Sequence, residues 1–348
     1  MSAPIRILIV DDSAFARKVV REILSDHAGV EVVGAARDGA EALELAERLR
    51  PDLVICDLRM PNLGGVYFVR RQMAVRPLPI LILSAAAQDA AEVVEALSAG
   101  AVDVVQKPTA LATDDLRTVR EALVAKVREA MSVPVEKLAP SGAPSPSPAV
   151  AAVARSGQGK ADVVVVGIST GGPQALRRML PQLPGDFAVP IAVVLHMPVG
   201  YTALYAEKLN ELCALEVKEA AEGDVLRPGV VWIAAAGRHL MLRRAADGEV
   251  VAQLTMQPLE KLHRPSADVL FRSAAEVYGS RVLGVVMTGM GDDGKEGAAW
   301  VKAQGGTILT EAEKSCVIYG MPRSVVEAGL SDEAVSLDGM AQAITARI

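Results

Sequence analysis

Short apolar runs that alternate with helix-like segments are the feature that most constrains this chain. Five such runs occupy the first 130 residues, in the order IRILIV, VEVVGAA, PDLVIC, LPILILS and AVDVVQ. The segments between them are rich in Ala, Glu and Arg and have the length of helices. Strands that alternate with helices in this way form a parallel sheet covered by helices on both faces. The sequence therefore predicts a doubly wound (βα)5 unit at the start of the chain.

A stretch of different composition follows this unit. Pro, Ser, Ala and Gly dominate residues 132–160, and the hydrophobic periodicity disappears there. Such a composition does not bury enough apolar surface to form a packed element. We therefore predict a flexible linker between two folding units.

A second α/β pattern begins at Ala161. Its strand-like runs are ADVVVVG, VPIAVVLH, GVVWIAAA, RVLGVVMTG and GGTILTE. Helical segments such as PQALRRMLPQL lie between several of them, and residues 237–262 have the pattern of a hairpin with a DG turn. We expect a second doubly wound, mostly parallel α/β sheet over residues 161–348, and we allow for an antiparallel margin.

Composition and charge exclude several classes of protein. The chain has 348 residues and a formal net charge of −6 without a basic block, which argues against broad nucleic-acid binding. Its cysteines show no CxxC spacing, so neither a zinc site nor a disulfide framework is indicated; they are Cys56, Cys213 and Cys316. No apolar stretch reaches the ~18 residues of a membrane span. Acidic residues within the first dozen positions are not typical of a signal peptide, so we expect a cytoplasmic protein.

Charged and hydroxyl residues follow or end four strands of the first unit. Asp11 and Asp12 come after the first run, Asp57 after the third and Lys107 after the fifth, and Ser84 ends the fourth. These ends converge at one edge of a doubly wound sheet. The three carboxylates would repel one another unless a hard cation such as Mg²⁺ lay among them. A single strand-end aspartate is usually a helix cap, but all five positions together favour Asp57 as a nucleophile towards phosphorus, with the serine and lysine on the phosphoryl group.

These residues lie in the motifs IVDDSAFARK, DLRMP and QKP, in which the chain resembles the response-regulator receiver domain over residues 4–128. The resemblance implies that Asp57 is the phosphoacceptor and that the other side chains at this edge hold Mg²⁺ and the phosphoryl group. The chain departs from the common receiver pattern in two places. Val104 replaces an aromatic residue, and Leu63-Gly64-Gly65 replaces a segment that carries an acidic residue in related regulators.

The second unit contains the segment VGISTGGP at residues 166–173, with Ser169 in the form G-x-S-x-G. The glycines permit a tight strand-to-helix turn, and Pro173 suits the first turn of a helix. The start of the helix adds backbone N–H groups and positive potential near the serine. This pattern is typical of a nucleophile elbow. Taken alone, it fits a phosphate-binding loop at least as well.

Two other strand ends favour a nucleophile. His196 ends the run PIAVVLH, and Asp292 and Asp293 follow VLGVVMTGMG. A serine, a histidine and an aspartate at the carboxyl ends of strands in one sheet can form a triad, in which the histidine takes the serine proton. The chain order Ser-His-Asp differs from the Ser-Asp-His order of α/β-hydrolases. From the residues alone, both aspartates remain candidates.

The second unit resembles the chemotaxis protein-glutamate methylesterases, the CheB family, over nearly all of residues 161–348. The matching stretches are GISTGGP, HMPVGYT, LRPGVVWIA, HRPSADVLF, VVMTGMGDDG and YGMPRSVVEAG. The resemblance implies that Asp293 is the triad aspartate and that the backbone N–H groups of Thr170 and Met290 form the oxyanion hole. Three residues differ from the family pattern without removing a chemical group from the triad; they are Ile168, Leu195 and Ala235.

Other polar residues carry weaker signals. His263, Arg264 and Ser266 in the segment HRPSAD suit either a substrate cleft or helix capping. His27 lies at a polar helix end and His239 beside a turn, and we assign neither a function.

Together the two resemblances imply a phosphorylation-activated serine esterase. The expected substrates are glutamate methyl esters, and also glutamines, of methyl-accepting chemoreceptors, and the expected phosphodonor is a chemotaxis histidine kinase. Mg²⁺ is expected for phosphorylation, and no cofactor for ester hydrolysis. The unphosphorylated receiver is expected to cover the cleft, and phosphorylation to shift the population to an open form at receptor arrays. Two alternatives stay open: a docking module without catalysis, and an esterase for a protein outside chemotaxis.

Overall fold

The computed structural model describes two compact units, Met1–Ser141 and Gly142–Ile348. The described residues are 3–27, 29–84, 89–107, 113–131, 133 and 161–348. The predicted domain boundaries at residues 128 and 161 stay predictions. Apart from Val133, the predicted linker at 132–160 lies outside the described residues.

The first unit is a five-stranded sheet whose strands alternate with helices. Its strands are β1 Ile5–Val10, β2 Val30–Ala36, β3 Leu53–Asp57, β4 Ile80–Ser84 and β5 Asp103–Gln106. Its helices are α1 Ala14–Ser25, α2 Gly39–Leu49, α3 Gly65–Val75, α4 Ala90–Ser98 and α5 Thr113–Met131. The strand order is β2-β1-β3-β4-β5 and every pairing is parallel, which confirms the predicted doubly wound architecture.

Burial explains why the apolar runs form the centre of this sheet. Every residue of β3 and of β4 is buried, as expected where helices cover both faces of parallel strands. Ser13 and Asp38 accept backbone N–H groups at the starts of α1 and α2, which fixes where these helices begin. Because β1 and β3 are neighbours although β2 lies between them in the chain, their carboxyl ends form the crevice in which such sheets bind ligands.

The second unit contains nine strands and six α-helices among the described residues. The strands are β6 Val163–Ile168, β7 Ile191–Leu195, β8 Glu216–Glu219, β9 Val230–Ile233, β10 His239–Arg244, β11 Val250–Thr255, β12 Val282–Val286, β13 Thr307–Glu311 and β14 Glu333–Val335. The helices are α6 Gly172–Met179, α7 Thr202–Asn210, α8 Ala267–Tyr278, α9 Lys295–Ala303, α10 Met321–Glu327 and α11 Leu337–Thr345.

Seven of these strands form one parallel sheet in the order β14-β13-β12-β6-β7-β9-β8, which confirms the predicted second α/β sheet. The predicted hairpin is also present, as β10 and β11. It is a separate two-stranded sheet and not a margin of the large one. Leu240 and Leu242 of β10 join the same core cluster as Leu270 and Phe271 of α8, so the hairpin is held by packing.

The strand order creates a crevice at the centre of the large sheet. β6 lies between β12 and β7. The strands that directly follow β6 in the chain lie on its β7 side, and the last three strands of the sheet lie on its β12 side. Gly167 of β6 is in register with Val286 of β12, and Ile168 is in register with Leu195 of β7. The segments that follow these three strands therefore emerge side by side. Among the described residues, no helix combines the length and apolar content that a membrane span requires.

Candidate active site and phosphorylation site

Ser169 directly follows β6, in the turn that leads into α6. The turn is tight because Gly171 adopts φ +80°, and the Gly172 N–H donates to the Ser169 carbonyl oxygen at 2.7 Å. A Cβ atom at Gly171 would lie 2.6 Å from the Cβ of Val317, so no side chain fits there. The Ser169 N–H donates to the carbonyl oxygen of Thr288 at 2.9 Å. The serine is thus held at the edge where β6 and β12 end.

His196 follows β7 and lies beside the same turn. Its backbone N–H donates to the carbonyl oxygen of Ile168 at 3.1 Å. Its ring Nε2 lies 2.8 Å from Oδ2 of Asp293. The other ring nitrogen, Nδ1, is buried and has no hydrogen-bond partner in the described part of the chain. Because the carboxylate occupies Nε2, Nδ1 is the nitrogen available to a reacting group.

The carboxylate of Asp293 lies at the start of α8. Oδ1 accepts the Ser266 hydroxyl at 2.7 Å and the Asp268 N–H at 3.1 Å, and Oδ2 accepts the Ala267 N–H at 2.7 Å. Burial alone would raise the pKa of Asp293. The hydrogen bond and charge of His196, with the bonds from Ser266 and Ala267, instead hold this pKa well below its usual range. The carboxylate therefore stays ionised beside the histidine.

The two adjacent aspartates have different environments. Asp292 is exposed and forms an ion pair with Lys295 at 2.7 Å, whereas Asp293 is largely buried and contacts His196. Only one of the two candidates is therefore brought to the histidine. The geometry favours Asp293 as its partner.

The predicted oxyanion-hole residues lie on two sides of the serine. Thr170 follows Ser169 in the turn, and its carbonyl oxygen accepts the Thr288 hydroxyl at 3.0 Å. Met290 follows Gly289, where a Cβ atom would lie 2.7 Å from the Cβ of Ser169. Both backbone segments thus pass close to the serine, as converging N–H donors must. The role of Thr170 and Met290 stays a prediction.

At the edge of the first sheet, Lys107 joins two carboxylates. Its Nζ lies 2.8 Å from Oδ2 of Asp11 and 2.7 Å from Oδ2 of Asp57. Burial raises the pKa of Asp57, with Lys107 acting against it. Burial would lower the pKa of Lys107, but the two carboxylates raise it above its ordinary value. The lysine therefore stays charged at the predicted phosphorylation site.

Three carboxylates at this edge could hold a metal ion. Asp11, Asp12 and Asp57 each offer an oxygen, and these atoms lie within 4.8 Å of one another. Carboxylate oxygens are the donors that Mg²⁺ prefers, and the exposure of Asp12 leaves access for the water that Mg²⁺ usually retains. The residues present therefore fit Mg²⁺.

Ser84 ends β4 and is engaged by a different side chain. Its hydroxyl donates to Oδ2 of the buried Asp89 at 2.9 Å. The Nε atom of Arg59 lies 2.8 Å from Oδ1 of Asp89. The structure thus binds Ser84 into a hydroxyl–carboxylate–guanidinium chain, which the sequence did not indicate.

The amino-acid sequences of known proteins resemble this chain over nearly its whole length. The sequence pattern of the family described as CheB methylesterase matches residues 164–344, and that of the response regulator receiver domain matches residues 7–121. A Myxococcus xanthus protein named protein-glutamate methylesterase/protein-glutamine glutaminase 5 is 52% identical over 97% of this chain and 96% of its own length. This chain belongs to the CheB methylesterase family.

A second relative and a solved structure are also similar to this chain. A Halalkalibacterium halodurans protein named protein-glutamate methylesterase/protein-glutamine glutaminase is 40% identical over 99% of this chain and 98% of its own length. The crystal structure of the Thermotoga maritima CheB methylesterase catalytic domain is 40% identical, with a TM-score of 0.53. The match covers 54% of the present chain and 99% of the Thermotoga maritima chain. The similarity to this solved structure thus covers about half of the present chain.

Most of the residues that differ from the CheB and receiver patterns are packed. Ile168 and Leu195 end neighbouring strands and are fully buried, and Val104 is buried in β5. A Cβ atom at Gly65 would lie 2.1 Å from the carbonyl oxygen of Asp57, so the start of α3 lies directly against the end of β3. The departure from the receiver pattern is at the preceding residue, Gly64, where a Cβ atom would lie 3.3 Å from the carbonyl oxygen of Leu58. The structure does not explain why this position is a glycine.

Three residues contact the His196–Asp293 pair or its partners, although their signal in the sequence was weak or absent. Ser266 binds Asp293, the ring of His263 stacks on that of His196 with centroids 4.1 Å apart, and His239 binds Ser266. A serine before an apolar helix is a recognisable capping signal. Nothing local marks His239, because its partners lie 19 and 27 residues away in the chain.

His239 is expected to make the stability of the second unit depend on pH. Burial lowers the pKa of His239 below 6.5, opposed by the Pro258 carbonyl and Asp293 and reinforced by Arg264 and Lys261. As the pH is lowered below about 6.5, the unfolded chain therefore binds a proton at this histidine that the folded chain does not. The free energy of unfolding decreases with each step to lower pH until the pKa of the folded chain is passed. Thermal unfolding of the full chain between about pH 8 and 5 should show a steeper loss for wild type than for His239→Asn. Equal slopes would contradict this expectation.

Proposed function

We propose that the chain is a phosphorylation-activated serine hydrolase that demethylates glutamate methyl esters on methyl-accepting chemoreceptors and releases methanol. Both relatives described above are named protein-glutamate methylesterase/protein-glutamine glutaminase. The observation that carries the proposal is the 2.8 Å contact between His196 Nε2 and the buried Asp293, beside the Ser169 turn. A histidine oriented by a carboxylate is what a serine nucleophile requires.

The first step is attack of the Ser169 hydroxyl oxygen on the ester carbonyl carbon. As the new C–O bond forms, Nδ1 of His196 takes the hydroxyl proton, since Nε2 is already bound to Asp293. The carbonyl electron pair moves to the oxygen. The ionised Asp293 balances the positive charge that the imidazole ring gains.

The negative oxygen of this intermediate is bound by the backbone N–H groups of Thr170 and Met290, and the start of α6 adds positive potential. The C–OCH₃ bond then breaks, and the His196 proton goes to the leaving oxygen to give methanol. Water attacks the acyl-serine, gives a proton to His196, and the Ser169 hydroxyl is restored as the glutamate leaves. The same steps on glutamine would release ammonia.

Regulation begins at Asp57, whose carboxylate attacks the phosphorus of a phosphohistidine on a chemotaxis histidine kinase, so that an acyl phosphate forms and the histidine leaves. Bound by Asp11, Asp12 and Asp57, Mg²⁺ would neutralise charge on the phosphoryl oxygens. The ammonium group of Lys107 already contacts two of these carboxylates, and it can form an ion pair with the negative phosphoryl group on Asp57. The Ser84 hydroxyl would bind a phosphoryl oxygen.

Phosphorylation of Asp57 is proposed to raise the esterase activity, with residues 132–160 as the linker between receiver 4–128 and catalytic domain 161–348. No cofactor is proposed for ester hydrolysis, because the serine, histidine and aspartate supply the nucleophile and every proton transfer. A kinase donor and receptor substrates imply a cytoplasmic location at receptor arrays.

Methanol release from methylated receptor membranes tests the proposal. Release by the full-length protein is expected to rise when acetyl phosphate and Mg²⁺ are added. No release under these conditions would contradict the proposal and would favour a docking module or another ester substrate. Labelling of Ser169 by a fluorophosphonate separates these two cases, because it requires the activated serine but no receptor.

Asp89→Ala is expected to lower the phosphodonor concentration that gives half-maximal stimulation by at least about tenfold. The Ser84 hydroxyl must leave Asp89 before it can bind a phosphoryl oxygen, and a hydrogen bond to a charged group stabilises by about 1.5–3 kcal/mol. Removing the carboxylate removes that cost. Titration of methanol release with acetyl phosphate measures the effect. Glu92→Ala is the matched control, since Glu92 contacts Arg59 at 3.6 Å; an unchanged midpoint in Asp89→Ala would exclude this role of Asp89.

A further inference from the structure

His239 begins β10 and is fully buried. Its Nδ1 accepts the backbone N–H of Ser266 at 3.2 Å, and its Nε2 lies 3.1 Å from the carbonyl oxygen of Pro258. A backbone N–H can only donate and a carbonyl oxygen can only accept. The two partners therefore require a neutral ring with its proton on Nε2. His239 is thus a dedicated hydrogen-bond acceptor for Ser266.

Ser266 in turn controls the donors that hold Asp293. Its hydroxyl donates to Oδ1 at 2.7 Å, and the next two backbone N–H groups, of Ala267 and Asp268, donate to the same carboxylate. Because these donors belong to consecutive residues, a rotation of the Ser266 backbone would displace all of them together. The bond from Ser266 to His239 resists that rotation.

We propose that His239 is a positioning residue for ester hydrolysis, which fixes Asp293 through Ser266 and thereby aims the His196 ring at Ser169. This inference rests on the proposed function. Misplacement of a reacting group by about 1 Å can cost about 10²-fold in rate. Losing the acceptor should therefore lower kcat, whereas KM should change little, because the buried His239 does not reach the substrate.

Two replacements separate positioning from packing. In His239→Asn the amide oxygen can take the place of Nδ1 and accept the Ser266 N–H, whereas in His239→Gln the longer amide reaches towards Pro258. The Gln variant should lose about 10- to 100-fold in kcat at constant KM, and the Asn variant should stay close to wild type. Leu242→Ala, on the same strand, is the packing control and should lower the melting temperature without this loss.

Methanol release gives kcat and KM for the full chain, and fluorophosphonate labelling gives the rate of reaction at Ser169 without a receptor. Equal kcat values for the Asn and Gln variants, or losses that simply follow the melting temperature across all variants, would overturn the inference. If wild-type Ser169 is not labelled, the proposed function fails instead.

If the Gln variant does not fold, ¹⁵N NMR of the wild-type histidines decides. A neutral His239 ring with its proton on Nε2 and a hydrogen-bonded Nδ1 supports the proposal. A doubly protonated ring at neutral pH, or a proton on Nδ1, rules it out, because neither form can accept the Ser266 N–H.

Discussion

Ser169→Ala is expected to lower methanol release from methylated receptors by about 10⁴-fold or more. Without the hydroxyl oxygen no acyl-enzyme forms, and the His196–Asp293 pair has no proton to take. Fluorophosphonate labelling should disappear in parallel. His196→Ala and Asp293→Asn should each cause losses of comparable size, and combining them with Ser169→Ala should add little, because the three groups act as a unit.

Ser280→Ala is a suitable control, because Ser280 is an exposed serine of the same unit, in a turn after α8. It should release methanol at the wild-type rate. Wild-type-like release by Ser169→Ala would refute a serine mechanism. Unchanged receptor signalling in that variant would support a docking role for the second unit.

Asp57→Asn is expected to abolish the rise in methanol release that acetyl phosphate and Mg²⁺ produce in wild type. The amide is a poor nucleophile towards phosphorus, so no acyl phosphate forms. The substitution also removes one of the three carboxylates whose oxygens lie within 4.8 Å of one another, which weakens Mg²⁺ binding. The ratio of release with and without phosphodonor is the quantity to measure, together with acid-stable and acid-labile phosphate on the protein.

Asp52→Asn provides the control for Asp57→Asn. Asp52 is exposed near the opposite end of β3, where it accepts the Arg6 N–H at 2.8 Å, and an asparagine oxygen can do the same. Stimulation should survive in this variant. If Asp57→Asn still responds fully to acetyl phosphate, phosphorylation of Asp57 is not the activating event.

Local pattern was sufficient for the architecture. The apolar runs and the helical segments between them predicted two doubly wound units, and both sheets are present in the structure. The pattern could not supply the strand order, because apolar runs of similar composition can pair in many ways. It also placed the hairpin only loosely, since the packing of β10 on α8 depends on residues about 30 positions apart.

The site divides in a similar way. Ser169 and His196 could be predicted because each stands at the end of a strand, and the ends of parallel strands meet. The choice of Asp293 over Asp292 required either the family resemblance or the tertiary structure, since adjacent residues have the same local sequence. The assigned roles of all these residues stay predictions until the variants are measured.

By itself, the sequence determined the two α/β units and the strand-end positions of Ser169, His196 and the predicted phosphoacceptor Asp57, because periodicity and strand-end chemistry are local properties. Only the tertiary structure decided that β6 lies between β12 and β7, that Asp89 binds Ser84, and that Ser266 binds both His239 and Asp293. The hydrogen bonds that link His239, Ser266 and Asp293 join three separate segments of the sequence. Such hydrogen bonds depend on how distant elements pack, and no short stretch of sequence encodes that packing.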